Sequence, residues 1–205
     1  MPFKSLQGCL PALAEVLNVN RTTLYERQRA LVREGLLDAL PGHGRGSGVR
    51  ATPESVAMLT IGMLASVNLA DVGPLARSLG RATSIDSECP LTGAKTFHAA
   101  LSRIFSDESL AKRVGGISVQ VNAGRAAIGF DGSDAERDMD SVSLKSALES
   151  RGAKKVKVSP EPTSSIFSTR KHEERGLRVG VSIPRQTVRD LTAAARTLLT
   201  KETEQ

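Results

Sequence analysis

Two short helical patterns, separated by a three-residue break, constrain the fold of this chain most strongly. One apolar face recurs at helical spacing through Leu10, Leu13, Ala14 and Leu17. This spacing predicts an α-helix over residues 10–17, with Pro11 in its first turn, where the missing N–H costs no hydrogen bond. A second helix is predicted over residues 21–34, with Leu24 and Leu31 facing inward.

The break between the two helices has residues that can end one helix and begin another. Asn18 can adopt the left-handed conformation that closes a helix, Val19 can fill the angle between the helices, and Asn20 is a favourable N-cap. Ala14 is small at the point where two crossing helices come closest. So short a turn is expected to set the two helices near a right angle.

The second helix presents polar side chains on its outer side. With the N-cap included, these residues are Asn20, Arg21, Thr22, Thr23, Tyr25, Glu26 and Arg29. When such a helix lies in the major groove of DNA, arginine can bind guanine, threonine can touch a thymine methyl group, and glutamate can accept from cytosine. The hydroxyls of Thr23 and Tyr25 are candidate donors to phosphate.

This pair of helices resembles the helix-turn-helix of bacterial and mobile-element winged-helix transcription regulators, and that of transposon resolvases. Residues 13–17 before the turn and residues 19–25 after it carry the resemblance. The family pattern has glycine in the turn, where this chain has Asn18, a permitted substitute. The resemblance covers residues 10–51 of 205 and implies binding to double-stranded DNA. Two amphipathic helices with a short turn also occur in bundles that bind no nucleic acid.

The glycine-rich segment after the second helix is typical of a two-stranded wing. Residues 36–40 and 49–51 are the predicted strands, and residues 41–48 form the tip between them. Glycine lets the backbone approach a phosphate closely, and basic side chains attract it. The expected DNA contacts of this wing are His43, Arg45 and Arg50. The alternative interpretation of the tip is a plain flexible loop.

The charge of the chain agrees with an anionic partner. The formal net charge is +6 and the isoelectric point is about 9.7, which favours nucleic acid. The two cysteines and three histidines lie in separate segments and match no metal, disulfide or nucleophile spacing. We therefore expect no metal, no cofactor and no enzymatic activity.

No segment has the features of a membrane anchor or a signal peptide. The most apolar run, residues 56–67, is about half as long as a membrane-spanning helix needs to be. Residues 1–8 lack the apolar stretch of a signal peptide. We expect a cytoplasmic, nucleoid-associated protein that does not contact membranes.

A third helix, over residues 53–67, is apolar around nearly its whole circumference. Thr52 is a suitable N-cap, and Pro53 suits the first helical position. A helix that is apolar on all sides must be covered on all sides. One interpretation is a homodimer interface, formed by Met58, Leu59, Ile61, Met63 and Leu64, with help from Leu75 and Leu79. The alternative is a central core helix within one subunit.

The remainder of the chain is predicted to be α+β. The predicted helices are 69–83 with a break near Gly73 and Pro74, 92–114 divided at 106–108, 141–150 and 186–200. The predicted strands are 116–121, 125–130, 154–158, 164–168 and 177–183. The strands are expected to form an antiparallel sheet covered by a helix. We predict a winged helix-turn-helix domain over 1–53, a helical linker or dimerisation segment over 54–90, and an α+β domain over 91–205.

These observations favour a sequence-specific DNA-binding transcription regulator, acting as a homodimer or higher homo-oligomer on a pseudo-palindromic site. The main alternative is a DNA-handling assembly protein of a phage or mobile element, similar to a small terminase subunit or an excision factor. An enzyme that uses the motif only for targeting is disfavoured, because no catalytic cluster is present in the sequence.

Overall fold

The computed structural model describes residues 5–40, 48–65, 68–121, 124–130, 163–168 and 180–200. The predicted wing tip at 41–47, helix at 141–150, strand at 154–158 and basic loop at 169–175 lie outside these residues. The described part of the chain is α+β, with seven α-helices and two antiparallel sheets.

The helices and strands alternate irregularly along the chain. The helices are α1 (Leu6–Val16), α2 (Arg21–Arg33), α3 (Pro53–Ala65), α4 (Val72–Gly80), α5 (Phe97–Ser106), α6 (Glu108–Arg113) and α7 (Arg185–Thr200). The strands are β1 (Ala39–Leu40), β2 (Gly48–Val49), β3 (Thr83–Ser84), β4 (Val114–Gln120), β5 (Arg125–Phe130), β6 (Thr163–Ser168) and β7 (Gly180–Pro184). A 3-10 turn, Leu69–Asp71, precedes α4.

The first helix begins earlier than predicted. Ser5 caps it by accepting a hydrogen bond from the N–H of Gln7 at 3.2 Å, and Leu6 and Cys9 extend the buried face towards the N-terminus. Pro11 therefore lies in the second turn, and the prediction that it occupies the first turn is wrong. The apolar spacing from Leu10 onward is only part of the buried face, which Leu6 and Cys9 begin one turn earlier.

The turn after α1 is built as predicted. Asn18 has a φ of 51°, the left-handed conformation that closes a helix. The side chain of Asn20 caps α2 by accepting a hydrogen bond from the N–H of Thr22 at 2.8 Å. Val19 packs against the hydrophobic core. The end of α1 and the start of α2 therefore both follow from local properties of the asparagines at 18 and 20.

Three other predicted boundaries are corrected. The first strand of the hairpin is only Ala39–Leu40 rather than 36–40. The break before α4 lies at Asp71, so Gly73 and Pro74 are inside the first turn of α4, where proline is tolerated. The helix predicted from residue 92 begins at Phe97. Its predicted division at 106–108 is confirmed, because Asp107 caps α6 by accepting from the N–H of Ser109 at 2.8 Å.

The apolar helix α3 is the centre of the core within one chain. Thr52 and Ser55 exchange hydrogen bonds at its start, with each backbone N–H donating to the other side chain, at 2.9 and 3.2 Å. Helix α3 packs against α2, α4 and α5. The predicted interface residues are enclosed by these helices, since Met58, Leu59, Ile61 and Leu64 are buried and Met63 is half-buried.

The prediction that α3 forms a dimer interface is therefore corrected to the alternative, a central core helix. A side chain that is already removed from water by its own chain has no apolar surface left for a second copy. Leu79 is likewise buried in the core, and Leu75 is half-buried.

The larger sheet has five antiparallel strands in the order β3-β6-β5-β4-β7. Alternate residues of β4 and β5 face the core; these are Ile117, Val119, Ala126, Ile128 and Phe130. Helix α7 packs on β4 and β7, and Phe97 of α5 stacks against Phe167 of β6 with 5.3 Å between ring centres. An antiparallel sheet covered by a helix is confirmed, but β3 joins it unpredicted and the predicted strand at 154–158 lies outside the described residues.

A single cluster of buried hydrophobic side chains runs from Leu6 to Ala195. Helix α1 contacts α7, and α3 contacts α5, so the core crosses the predicted boundaries at 53/54 and 90/91. The described residues therefore share one core. The division of the chain into three domains stays a prediction.

Candidate nucleic-acid interface

Helix α2 has one face in the core and one face in solvent. Leu24 and Leu31 are fully buried and fix the inner face. The outer residues predicted as DNA contacts are exposed except for Glu26, which is half-buried. The exposed residues are Arg21, Thr22, Thr23, Tyr25 and Arg29. Asn20 lies beside them, but its side-chain oxygen is used as the N-cap. The structure therefore brings the predicted residues of this helix together on one surface, which we call the α2 surface.

Three residues of the α2 surface contact one another. The guanidinium of Arg29 lies 3.5 Å from Glu26 Oε1, and its carbon lies 5.9 Å from the centre of the Tyr25 ring. An exposed ion pair and an exposed cation–π contact each contribute about 1 kcal/mol or less. A phosphate or a base can therefore displace either contact at little cost, while the contacts keep the three side chains close together in the free protein.

Arg27 belongs to α2 but not to the α2 surface. It is 7% exposed, and its guanidinium donates a hydrogen bond to the carbonyl of Gly62 at 2.9 Å. Burial lowers the pKa of Arg27 below its ordinary value. Gly62 lies in the last turn of α3, where carbonyl groups lack partners within the helix and a positive charge is favourable. Arg27 thus caps α3 and fixes α2 against it.

The end of α2 is fixed by a second arginine. Arg77 of α4 donates to the backbone carbonyl of Glu34, which is the C-cap of α2, and also lies 3.3 Å from Glu34 Oε2. The side chain of Glu34 passes directly over Gly73, where an added Cβ would stand 2.0 Å from its Cγ. Glycine at position 73 is therefore needed for this contact between α2 and α4.

Arg27 and Arg77 were not among the predicted site residues. Their contacts join residues 35 and 43 positions apart, so no local pattern shows the partner of either arginine. A signal for the burial of Arg27 does exist, because it lies three residues after Leu24 and four before Leu31, on the apolar face of the helix.

A short antiparallel hairpin follows α2, with strands of two residues each in place of the predicted 36–40 and 49–51. Ala39 pairs with Val49 and Leu40 with Gly48, both antiparallel. Arg50 is exposed, and it forms a β-bridge with Ser5 at the start of α1. His43 and Arg45, the other two predicted wing contacts, lie outside the described residues.

Comparison with protein-family models, with curated proteins and with solved structures gives no match to this chain. Among the described helices, none has the length and apolar character to cross a membrane. The described residues also contain no group of three or more histidine, cysteine, aspartate or glutamate side chains placed to hold a metal ion.

A groove of about 650 Å³ lies between α6 and α7, away from the α2 surface. Its charged residues include Glu108, Lys112 and Arg196, and both cations bind the carboxylate of Glu108. These hydrogen bonds lower the pKa of Glu108, with Lys112 as the larger cause. Because these charges are paired with each other, they do not converge on a ligand in the manner of an effector pocket.

Proposed function

We propose that this protein is a sequence-specific transcription regulator that binds double-stranded DNA through a winged helix-turn-helix. The observation that supports it best is the two-sided character of α2. One side is held in the core by Leu24, Leu31 and the buried Arg27. The other side carries exposed cations, hydroxyls and one carboxylate, the groups that read base edges and bind phosphates.

Within this proposal, α2 lies in the major groove and its first turn reads bases. Arg21 and Thr22 occupy that turn, and Glu26 follows one turn later on the same surface. Thr23, Tyr25 and Arg29 contact phosphates. Such a regulator acts on chromosomal DNA, so we also propose a cytoplasmic location at the nucleoid.

The proposal is tested by isolating the DNA bound to the protein across a genome and sequencing it. A regulator gives a small number of discrete sites with a shared sequence. Uniform coverage, or no DNA above background, would contradict the proposal. The stoichiometry on an isolated site separates a regulator, which binds as a discrete dimer, from an assembly protein, which forms a ring or a filament.

Arg21→Ala is expected to weaken binding at the specific site by about 1–3 kcal/mol and to relax the preference at one base pair. The reason is that an arginine in the first turn can bind guanine with two hydrogen bonds. Titration of matched and singly mismatched duplexes measures both effects. Arg113→Ala, at the exposed end of α6, is the control and is expected to change neither. Equal loss on all duplexes would remove Arg21 from the base-reading residues.

Arg50→Ala is expected to weaken binding to specific and random DNA equally, because the wing contacts the phosphate backbone and not the bases. The slope of log affinity against log salt concentration is expected to fall by about one. Arg45→Ala should behave in the same way. An unchanged salt slope in both variants would mean that this segment is a loop that does not touch DNA.

A further inference from the structure

The α2 surface holds one carboxylate, Glu26, among exposed cations. A carboxylate on a DNA-binding surface is repelled by the phosphates of every duplex. The amino group of cytosine compensates this repulsion at one base, because it donates a hydrogen bond that a carboxylate accepts. Glu26 can therefore favour one base, but its charge lowers the affinity for all other sequences unless a nearby cation offsets it.

Arg29 lies one turn after Glu26 and is that cation. Its Nη1 is 3.5 Å from Oε1 of Glu26, and the two side chains are 61% and 39% exposed respectively. The guanidinium offsets the charge of the carboxylate on the surface that would face DNA. Because the contact is made to Oε1, the other oxygen, Oε2, remains available to accept a hydrogen bond from a base.

The ring of Tyr25 limits the positions that the Arg29 guanidinium can take. The guanidinium carbon lies over this ring, 5.9 Å from its centre, within the range of a cation–π contact. A guanidinium donates hydrogen bonds in its own plane, so a ring against its face leaves its edges open. The pair with Glu26 uses one of its five N–H groups. Arg29 can therefore hold Glu26 and bind a phosphate at the same time.

We propose that Arg29 is a positioning residue for Glu26. Held between the Tyr25 ring and a phosphate, its guanidinium fixes Oε1 of Glu26 and directs Oε2 to the amino group of a cytosine. This inference rests on the proposed binding of α2 in the major groove. It assigns the preference for cytosine to the pair of residues and not to Glu26 alone. An arginine that bound only phosphate would raise the affinity for all duplexes equally.

The test begins with the wild-type full chain, which selects its site from a random pool of duplexes. Affinities are then measured on duplexes that carry each of the four base pairs at every position of that site. Glu26→Ala is expected to lose the preference at one position, which identifies the base pair that Glu26 reads. Arg29→Met is expected to reduce the preference at that same position about threefold to fivefold, the effect of an exposed ion pair, and to weaken binding to all duplexes.

Arg33→Met is the matched control. Arg33 is exposed on the same helix, two turns after Glu26. Its replacement should leave the preference at the position read by Glu26 unchanged. Thermal melting should also be unchanged in the variants of Glu26, Arg29 and Arg33, because none of these side chains is in the core. A change of base preference without a change of melting cannot come from a loss of structure.

The double variant separates positioning from phosphate binding. In the wild-type background, Glu26→Ala should change the affinity for duplexes without the cytosine only slightly, since Arg29 offsets the carboxylate. In the Arg29→Met background, the same substitution should raise that affinity, because it removes an unpaired negative charge near the phosphates. Once residue 26 is alanine, Arg29→Met should have no further effect on the base preference.

Two kinds of failure can be told apart. If Glu26→Ala loses the preference at one position but Arg29→Met weakens all duplexes equally, the positioning role is overturned and the proposed DNA binding stands. If the wild type selects no site, or Glu26→Ala keeps every base preference, base reading by Glu26 fails and the positioning role fails with it.

Discussion

Leu59→Lys is expected to abolish the cooperative folding of the chain. Leu59 is 1% exposed at the middle of α3, the helix that α2, α4 and α5 enclose. An uncompensated ammonium group at such a position costs several kcal/mol, which is comparable with the whole stability of a typical domain, about 5–15 kcal/mol. The milder Leu59→Ala is expected to remain folded and to lose about 2–5 kcal/mol.

Circular dichroism during thermal and urea unfolding measures these effects. Met63→Lys is the matched control, because Met63 is on the same helix but only half-buried, so its long side chain can place the charge in solvent. It should unfold cooperatively with a smaller loss. If Leu59→Lys remained fully folded and changed only the oligomeric state, α3 would be an interface helix after all.

The error about α3 came from a limit of sequence patterns. An apolar circumference shows that a helix is covered, but not whether the cover belongs to the same chain. The dimer hypothesis assumed that the N-terminal segment had too little core to cover α3. The structure supplies the missing cover from α5, which begins at Phe97, beyond both predicted domain boundaries. A contact between distant segments leaves no trace in the periodicity of either.

Local features of the fold were predicted well because their causes are local. Asn18 adopts its left-handed φ because asparagine tolerates that conformation. The caps of α2, α3 and α6 are side chains that bind backbone groups two or three residues away. The alternation of β4 and β5 follows from having one face in the core. The strand order could not be predicted, since β3 joins β6 across a long sequence separation.

The same distinction applies to the candidate site. The exposed residues of α2 follow from its helical period, so their common surface was predicted. The hydrogen bond of Arg27 to Gly62 and that of Arg77 to Glu34 depend on how α2 packs against α3 and α4. Helix α2 carries four arginines, Arg21, Arg27, Arg29 and Arg33, and composition alone does not distinguish them. The structure assigns Arg27 to packing and leaves the other three on the surface.

Arg27→Met and Arg29→Met are expected to affect different properties, stability and DNA binding respectively, although the two residues are only two positions apart on one helix. Arg27→Met keeps the length of the side chain but removes a charged hydrogen bond to the end of α3. We expect it to lower the free energy of unfolding by about 1.5–3 kcal/mol. Arg29→Met removes only an exposed ion pair and a cation–π contact, and it should change stability by about 0.5 kcal/mol or less.

In DNA binding, Arg29→Met should have the larger effect and Arg27→Met the smaller one. Because Arg27 is buried and its guanidinium binds Gly62, its replacement should leave the salt dependence of random-DNA binding unchanged, when measured at a temperature where the variant is fully folded. Arg29→Met should reduce the slope of log affinity against log salt by about one, because a phosphate contact is lost. A reduced slope for Arg27→Met would mean that its guanidinium leaves the core to bind DNA. Arg27→Lys provides a further check, since a lysine can still donate to the Gly62 carbonyl and should recover part of the stability that Arg27→Met loses, again with an unchanged salt slope.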